Sequence, residues 1–119
     1  MPGQQHVYVG LIDGDESVCR SFSRLLRAEN FQAVTYSSAE DFLCDRKHPD
    51  YDCLVLEVRL PGISGIELRR RLAGVHDPTP VIYLTDLDEP EARAEALREG
   101  CVGFFPKDVA SAVLIDAIR

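Results

Sequence analysis

"LVLEVRLPGISG", residues 54–65, runs aliphatic residues straight into a carboxylate, Glu57, then places Leu-Pro-Gly and a second glycine three residues beyond Gly62. With Cys53 ahead of it, the apolar run reads as a strand buried on both faces, the kind found in a parallel sheet. Pro61 and Gly62 are turn formers, so Glu57 falls at the exit of that strand. A carboxylate at such a place asks for a reason, because burying an unpaired charge is costly.

Four more apolar runs accompany it: "VYVGLI" (7–12), "FQAVTY" (31–36), "PVIYLT" (80–85) and "VGFFP" (102–106). The run at 31–36 alternates and predicts a half-exposed strand; the others predict strands buried on both faces. Helical patterns separate them. Val18, Phe22, Leu25 and Leu26 share one helix face. "SSAED" opens the second helix, with Ser38 and Asp41 in a capping box. "GIELRRRLAG" carries the third to a stop at Gly74. In "DEPEARAEALREG", Pro90 suits a first turn, Glu89 and Glu91 suit the positive end of the helix dipole, and Gly100 suits the stop. "DVASAVLIDAIR" forms the fifth, with Asp108 as its expected N-cap. Strand and helix alternate five times over short connections. That predicts an α/β fold, a single doubly wound five-stranded parallel sheet with helices on both faces and right-handed crossovers.

With 119 residues, 45% of them hydrophobic, the chain suits one domain, expected to span 1–119. The formal net charge of −7 argues against this segment holding nucleic acid by itself. Arg69, Arg70 and Arg71 read as a solvated helix face. No apolar run is long enough to span a membrane, and "MPGQQH" does not open a signal peptide. Cys19, Cys44, Cys53 and Cys101 form no C-x-x-C pair and have no histidine at zinc spacing. They are expected to be reduced thiols of a cytoplasmic protein, Cys53 and Cys101 acting as small core residues.

In an open α/β sheet the site forms beyond the carboxyl ends of the strands, where strand order reverses. "DGDE" (13–16) follows the first strand, Glu57 the third, Thr85 ends the fourth, and Lys107 follows the fifth. Each alone has a plain structural reading: a cap, a strand residue, a solvated lysine. Two carboxylates, a hydroxyl and an ammonium at four strand ends together form a phosphate- or cation-handling set.

Along essentially its whole length the chain resembles the response-regulator receiver domains of two-component signalling. That resemblance implies a CheY-like, flavodoxin-like fold with strand order 2-1-3-4-5. "LPGISG" is similar to the family's loop after the phospho-acceptor aspartate, which puts Glu57 at the acceptor position. "IDGDE" matches the acidic stretch, so Asp13, Gly14, Asp15 and Glu57 form the acidic pocket. Thr85 stands at the switch hydroxyl, Phe104 at the switch aromatic and Lys107 at the phosphate-contacting lysine. "YSSAEDFL" looks most like receivers of regulators with a LuxR-type helix-turn-helix output domain. The family's interaction face, the fourth helix, fifth strand and fifth helix, is the implied surface for self-association. A sensor kinase is an implied partner, and DNA is reached only through an output domain beyond this chain.

Three departures bear on the chemistry. Glu57 replaces the acceptor aspartate, Gly14 replaces an acidic Mg²⁺ ligand, and Asp108 stands where the family usually has a cis proline after the lysine. A non-proline cis bond costs about 3–4 kcal/mol, so the Lys107–Asp108 bond is expected to be trans. Losing one carboxylate leaves Asp13 and Glu57 as a weak ligand set for Mg²⁺, and no other cofactor is expected. Glutamate adds about 1.5 Å of reach, and a misplacement of about 1 Å costs alignment-dependent chemistry about 100-fold. The expectation is a degenerate receiver acting through protein contacts, with Glu57 reaching Lys107 or Thr85 without any phosphate. Two alternatives stand beside it. One is a working Mg²⁺-dependent receiver that accepts phosphate on Glu57. The other is an unrelated flavodoxin-like binding domain, disfavoured because "DGDE" would repel an anion.

Overall fold

The structure is a computed structural model and describes residues 6–86 and 90–119. The expectations placed on "MPGQQ" and Glu89 lie outside the described residues. The elements alternate as β1 (Tyr8–Ile12), α1 (Glu16–Ala28), β2 (Gln32–Tyr36), α2 (Ala39–Cys44), β3 (Cys53–Leu56), α3 (Gly65–Gly74), β4 (Val81–Thr85), α4 (Pro90–Glu99), β5 (Gly103–Pro106) and α5 (Ser111–Ile118). The strands form one parallel sheet in the order β2-β1-β3-β4-β5. The order reverses beside β1, so the crevice between the ends of β1 and β3 is the switch point.

Alternation along each strand splits the core into two layers. Ile12, Leu54, Leu56 and Tyr83 pack under α2, α3 and α4 with Phe42, Ile66, Leu68, Leu72 and Ala96. Val9, Leu11, Val55, Ile82 and Leu84 pack under α1 and α5 with Leu26, Leu114 and Ile115. Phe22 and Leu25 join the second layer half-buried. Cys53 is buried there, and burial, with the charge of Asp52 adding to it, pushes its thiol up to about 12. All four cysteines are free.

Local signals explain most boundaries. Asp15 caps α1, accepting from the amides of Ser17 and Val18. Ser38 caps α2 by accepting from the Asp41 amide, but Asp41 does not close the capping box. Its shorter side chain turns instead to the Ser37 hydroxyl, 2.8 Å away. Gly74 is the last residue of α3, and the chain reverses at His76, φ 58°. α4 begins at Pro90 and gives way at Gly100, φ 86°.

Two expectations fail. Asp108 is not the N-cap of α5: the turn at Pro106–Val109 (Val109 amide to Pro106 carbonyl, 3.0 Å) places it on the surface, and α5 starts later, with Ala110 at its N-cap and no side-chain cap. β5 is not buried on both faces. It is the sheet edge, and Gly103, Phe104 and Phe105 are only half-buried. β2, the other edge, is half-exposed as its alternation requires.

Candidate functional site

The crevice is built by the turns that leave β1 and β3. Ile12 is the last residue of β1 and Asp13 follows it, 4% exposed. One Asp13 oxygen accepts from the Asp15 amide at 2.9 Å, which ties the acid to the turn that starts α1. Glu57 follows β3, is 5% exposed, and is set in depth by its own amide donating to the Ile12 carbonyl at 3.0 Å. Lys107 leaves β5, its amide donating to the Thr85 carbonyl at 3.2 Å.

These positions converge. The Lys107 ammonium donates to Asp13 Oδ2 at 2.9 Å and to Glu57 Oε1 at 3.0 Å. The second Glu57 oxygen turns back to the Val58 amide at 2.6 Å. All four carboxylate oxygens of Asp13 and Glu57 are therefore engaged. Burial pulls the Lys107 ammonium down, but its hydrogen bonds and charge contacts with Asp13 and Glu57 outweigh that and hold it above its ordinary value. With the lysine side chain 17% exposed and both acids 5% exposed, the triad is more enclosed than a surface ion pair.

The remaining predicted residues divide. Thr85 is buried, 3% exposed, at the end of β4. Phe104 is half-buried, its ring centroid 5.8 Å from that of Tyr83 and 6.0 Å from the Arg93 guanidinium of α4. Asp15 is exposed and committed to the α1 cap, where Ser17's hydroxyl and amide hold its carboxyl below the usual range. Gly14 is exposed and brings no ligand. A Cβ there would meet Pro61 at 3.4 Å and the Ser37 carbonyl at 3.6 Å, ordinary contact distances, so space alone does not exclude an aspartate. The Lys107–Asp108 bond is trans, as is every described peptide bond.

The loop after Glu57 depends on its two glycines. Gly62 has φ +78°, and a Cβ on Gly65 would lie 2.2 Å from the Glu57 carbonyl, so α3 can start against the acid's backbone only without a side chain there. The Gly65 amide donates to the Val58 carbonyl at 2.9 Å. Sequence reasoning did not find Glu40, which reaches from α2 to accept from the Ile63 amide at 3.1 Å and so holds the loop from outside. Its place in "SSAED" suggested only a first-turn acid.

Mg²⁺ asks for several oxygen ligands in near-octahedral order. Here the oxygens of Asp13 and Glu57 already serve a lysine and two backbone amides, and Gly14 adds none. Among the described residues no group of three or more His, Cys, Asp or Glu side chains is placed to hold a metal ion. The arrangement does not fit Mg²⁺.

A doubly wound parallel sheet with two carboxylates and a facing lysine at its switch point defines a class of signalling fold rather than a classical enzyme. The family described as "Response regulator receiver domain" matches residues 9–119, and the chain belongs to that family. The transcriptional regulatory protein FixJ of Bradyrhizobium diazoefficiens is 32% identical over 100% of this chain and 59% of its own length. The response regulator protein TodT of Pseudomonas putida is 31% identical over 92% of this chain and 48% of its own. The crystal structure of FixJ-N superposes with a TM-score of 0.85 at 32% identity, covering 97% of this chain and 92% of that one. The chain thus spans about half the length of such curated relatives. It is a receiver domain of two-component signalling, and no helix among its described residues is long and apolar enough to cross a membrane.

Proposed function

We propose that this receiver works without phosphorylation: an internal ion pair occupies its acceptor site, and it regulates a transcriptional output through protein contacts. The observation that carries this reading is the Lys107 ammonium, 2.9 Å from Asp13 and 3.0 Å from Glu57. Glutamate is long enough to turn back on its own strand end and still meet the lysine. The groups that would handle an incoming phosphoryl group and its cation satisfy one another. The carboxylate carries about −1 where a phosphoryl group carries nearly −2, so Glu57 supplies part of the activating charge and none of the reactivity.

The face of α4, β5 and α5 is the proposed contact surface. It exposes Leu97 (54%), Val102 (54%) and Val113 (46%), and Phe104 lies half-buried between it and the core. Self-association through this face, a sensor kinase as a further partner, DNA contact through an output domain and a cytoplasmic location follow from the same reading.

The test is gain of function. Gly14→Asp with Glu57→Asp restores the missing ligand and shortens the acceptor. The double variant is expected to bind Mg²⁺ at least about tenfold more tightly than the wild-type domain in a calorimetric or NMR titration, and to acquire slow labelling by acetyl phosphate. Wild-type binding already in the micromolar range would contradict the proposal. It would favour the alternative of a Mg²⁺-dependent receiver accepting phosphate on Glu57.

A further inference from the structure

α4 is poorly anchored by apolar packing. Its only fully buried residue is Ala96, with Ala92 half-buried, while Leu97 on the same helix is 54% exposed. α3, its neighbour, buries Ile66, Leu68 and Leu72. Burial of alanine methyls removes little apolar surface from water, so other contacts must seat the helix.

Those contacts converge on Arg70 of α3. Its Nε donates to Glu99 at 3.0 Å, its Nη2 to Glu95, and its Nη1 lies 3.6 Å from Glu67 of its own helix. One guanidinium thus grips α4 at two positions one turn apart, a planar two-pronged contact that a lysine could not reproduce. At the far side of α4, Arg93 lies over the Phe104 ring.

Beneath this polar seam is a defect. The side chain of Tyr83 is fully buried on β4, and its hydroxyl has no hydrogen-bond partner. A buried hydroxyl left unpaired disfavours the arrangement that leaves it so. An arrangement of α4 that gave it a partner would gain what the present one forgoes.

We infer that α4 is held in its present seat by the Arg70 clamp rather than by apolar packing, and that it has a second seat in which the Tyr83 hydroxyl gains a hydrogen-bond partner. Arg70 is the catch between the two. Because the catch joins α3, which starts against Glu57, to the proposed contact face, it sets how readily that face rearranges. This holds whether or not the acidic crevice accepts phosphate, since none of Arg70, Glu95, Glu99 and Tyr83 touches Asp13, Glu57 or Lys107.

Hydrogen exchange read by mass spectrometry tests this, comparing residues 90–99 with α1 as an internal reference. Arg70→Met is expected to speed exchange in 90–99 by about 5-fold or more, the order of a small ion-pair network, with α1 changed less than about twofold. Raising salt is expected to do the same to wild type and nothing further to Arg70→Met, because screening acts on the same contacts. Tyr83→Phe keeps the ring and removes the hydroxyl, so it is expected to slow exchange in 90–99 by roughly tenfold, the order of one unpaired buried hydroxyl. Unchanged exchange in 90–99 of Arg70→Met, or an equal rise in α1, overturns the clamp. Unchanged or faster exchange in Tyr83→Phe overturns the second seat.

Discussion

Replacing Lys107 with methionine keeps most of the side-chain volume and removes the one positive charge between Asp13 and Glu57. Both carboxylates are 5% exposed and would be left facing each other with no cation between them. Removing one partner of a buried ion pair costs about 3–5 kcal/mol. The 17% exposure of Lys107 lets water reach one side of the triad and places the expected loss at the low end, about 3 kcal/mol. With a urea slope of about 2 kcal/mol per molar for a domain of this size, the unfolding midpoint should fall by roughly 1.5 M. Glu57→Gln is the informative control. It keeps the Lys107–Asp13 contact at 2.9 Å and lowers the local negative charge, so its cost should stay near about 1 kcal/mol, the net value of one hydrogen bond. A loss under about 0.5 kcal/mol for Lys107→Met, which is within surface-substitution noise, would show that the triad is not a stabilising unit and would refute the reasoning.

Stability should also depend on alkaline pH in a way that Lys107→Met removes. The folded-state pKa of Lys107 lies above its ordinary 10.5, so its contribution is complete below 10.5 and is lost as pH rises through the raised value. The Tyr36, Tyr51 and Tyr83 phenols are also pushed up, mainly by burial, and lose their contribution in the same range, so the difference between wild type and Lys107→Met is the quantity to plot from chemical denaturation. That difference should be flat up to about pH 10 and shrink above it. A difference independent of pH up to 12 contradicts the assignment. Self-association should be visible without any activating signal: sedimentation velocity at rising concentration is expected to show dimer for wild type and monomer for Leu97→Glu. A wild-type domain that stays monomeric throughout would leave Glu57 as loss of function rather than partial mimicry.

The strands were legible because burial on both faces leaves a continuous apolar run, and even the weaker β2 announced itself by alternation. β5 misled for the same reason. "VGFFP" is as apolar as a central strand, and nothing local says that no strand follows on its outer side. The crevice was legible because topology alone brings the ends of β1, β3 and β5 together, so Asp13, Glu57 and Lys107 had to meet. Their degree of enclosure was not, since it depends on how tightly the loop packs, down to the space that Gly65 leaves for the Glu57 carbonyl. Asp108 was assigned as a cap on residue type, but the turn begun at Pro106 uses two more residues before α5 can start. Glu40 and Arg70 act on partners 23 and 25 to 29 positions away, and each is an ordinary exposed-type residue in its own helix. Long-range polar contacts of that kind leave no local pattern.

The most direct test of the account is to expose the wild-type domain to acetyl phosphate and Mg²⁺, and separately to beryllofluoride, and to read intact mass and the amide NMR spectrum. With the Glu57 oxygens held by Lys107 and the Val58 amide, the mass is expected to stay unchanged and the spectrum near Glu57, Thr85 and Phe104 to move little. A stoichiometric gain of one phosphoryl group mapped to Glu57 would contradict the claim that an internal ion pair has replaced phosphotransfer in this receiver.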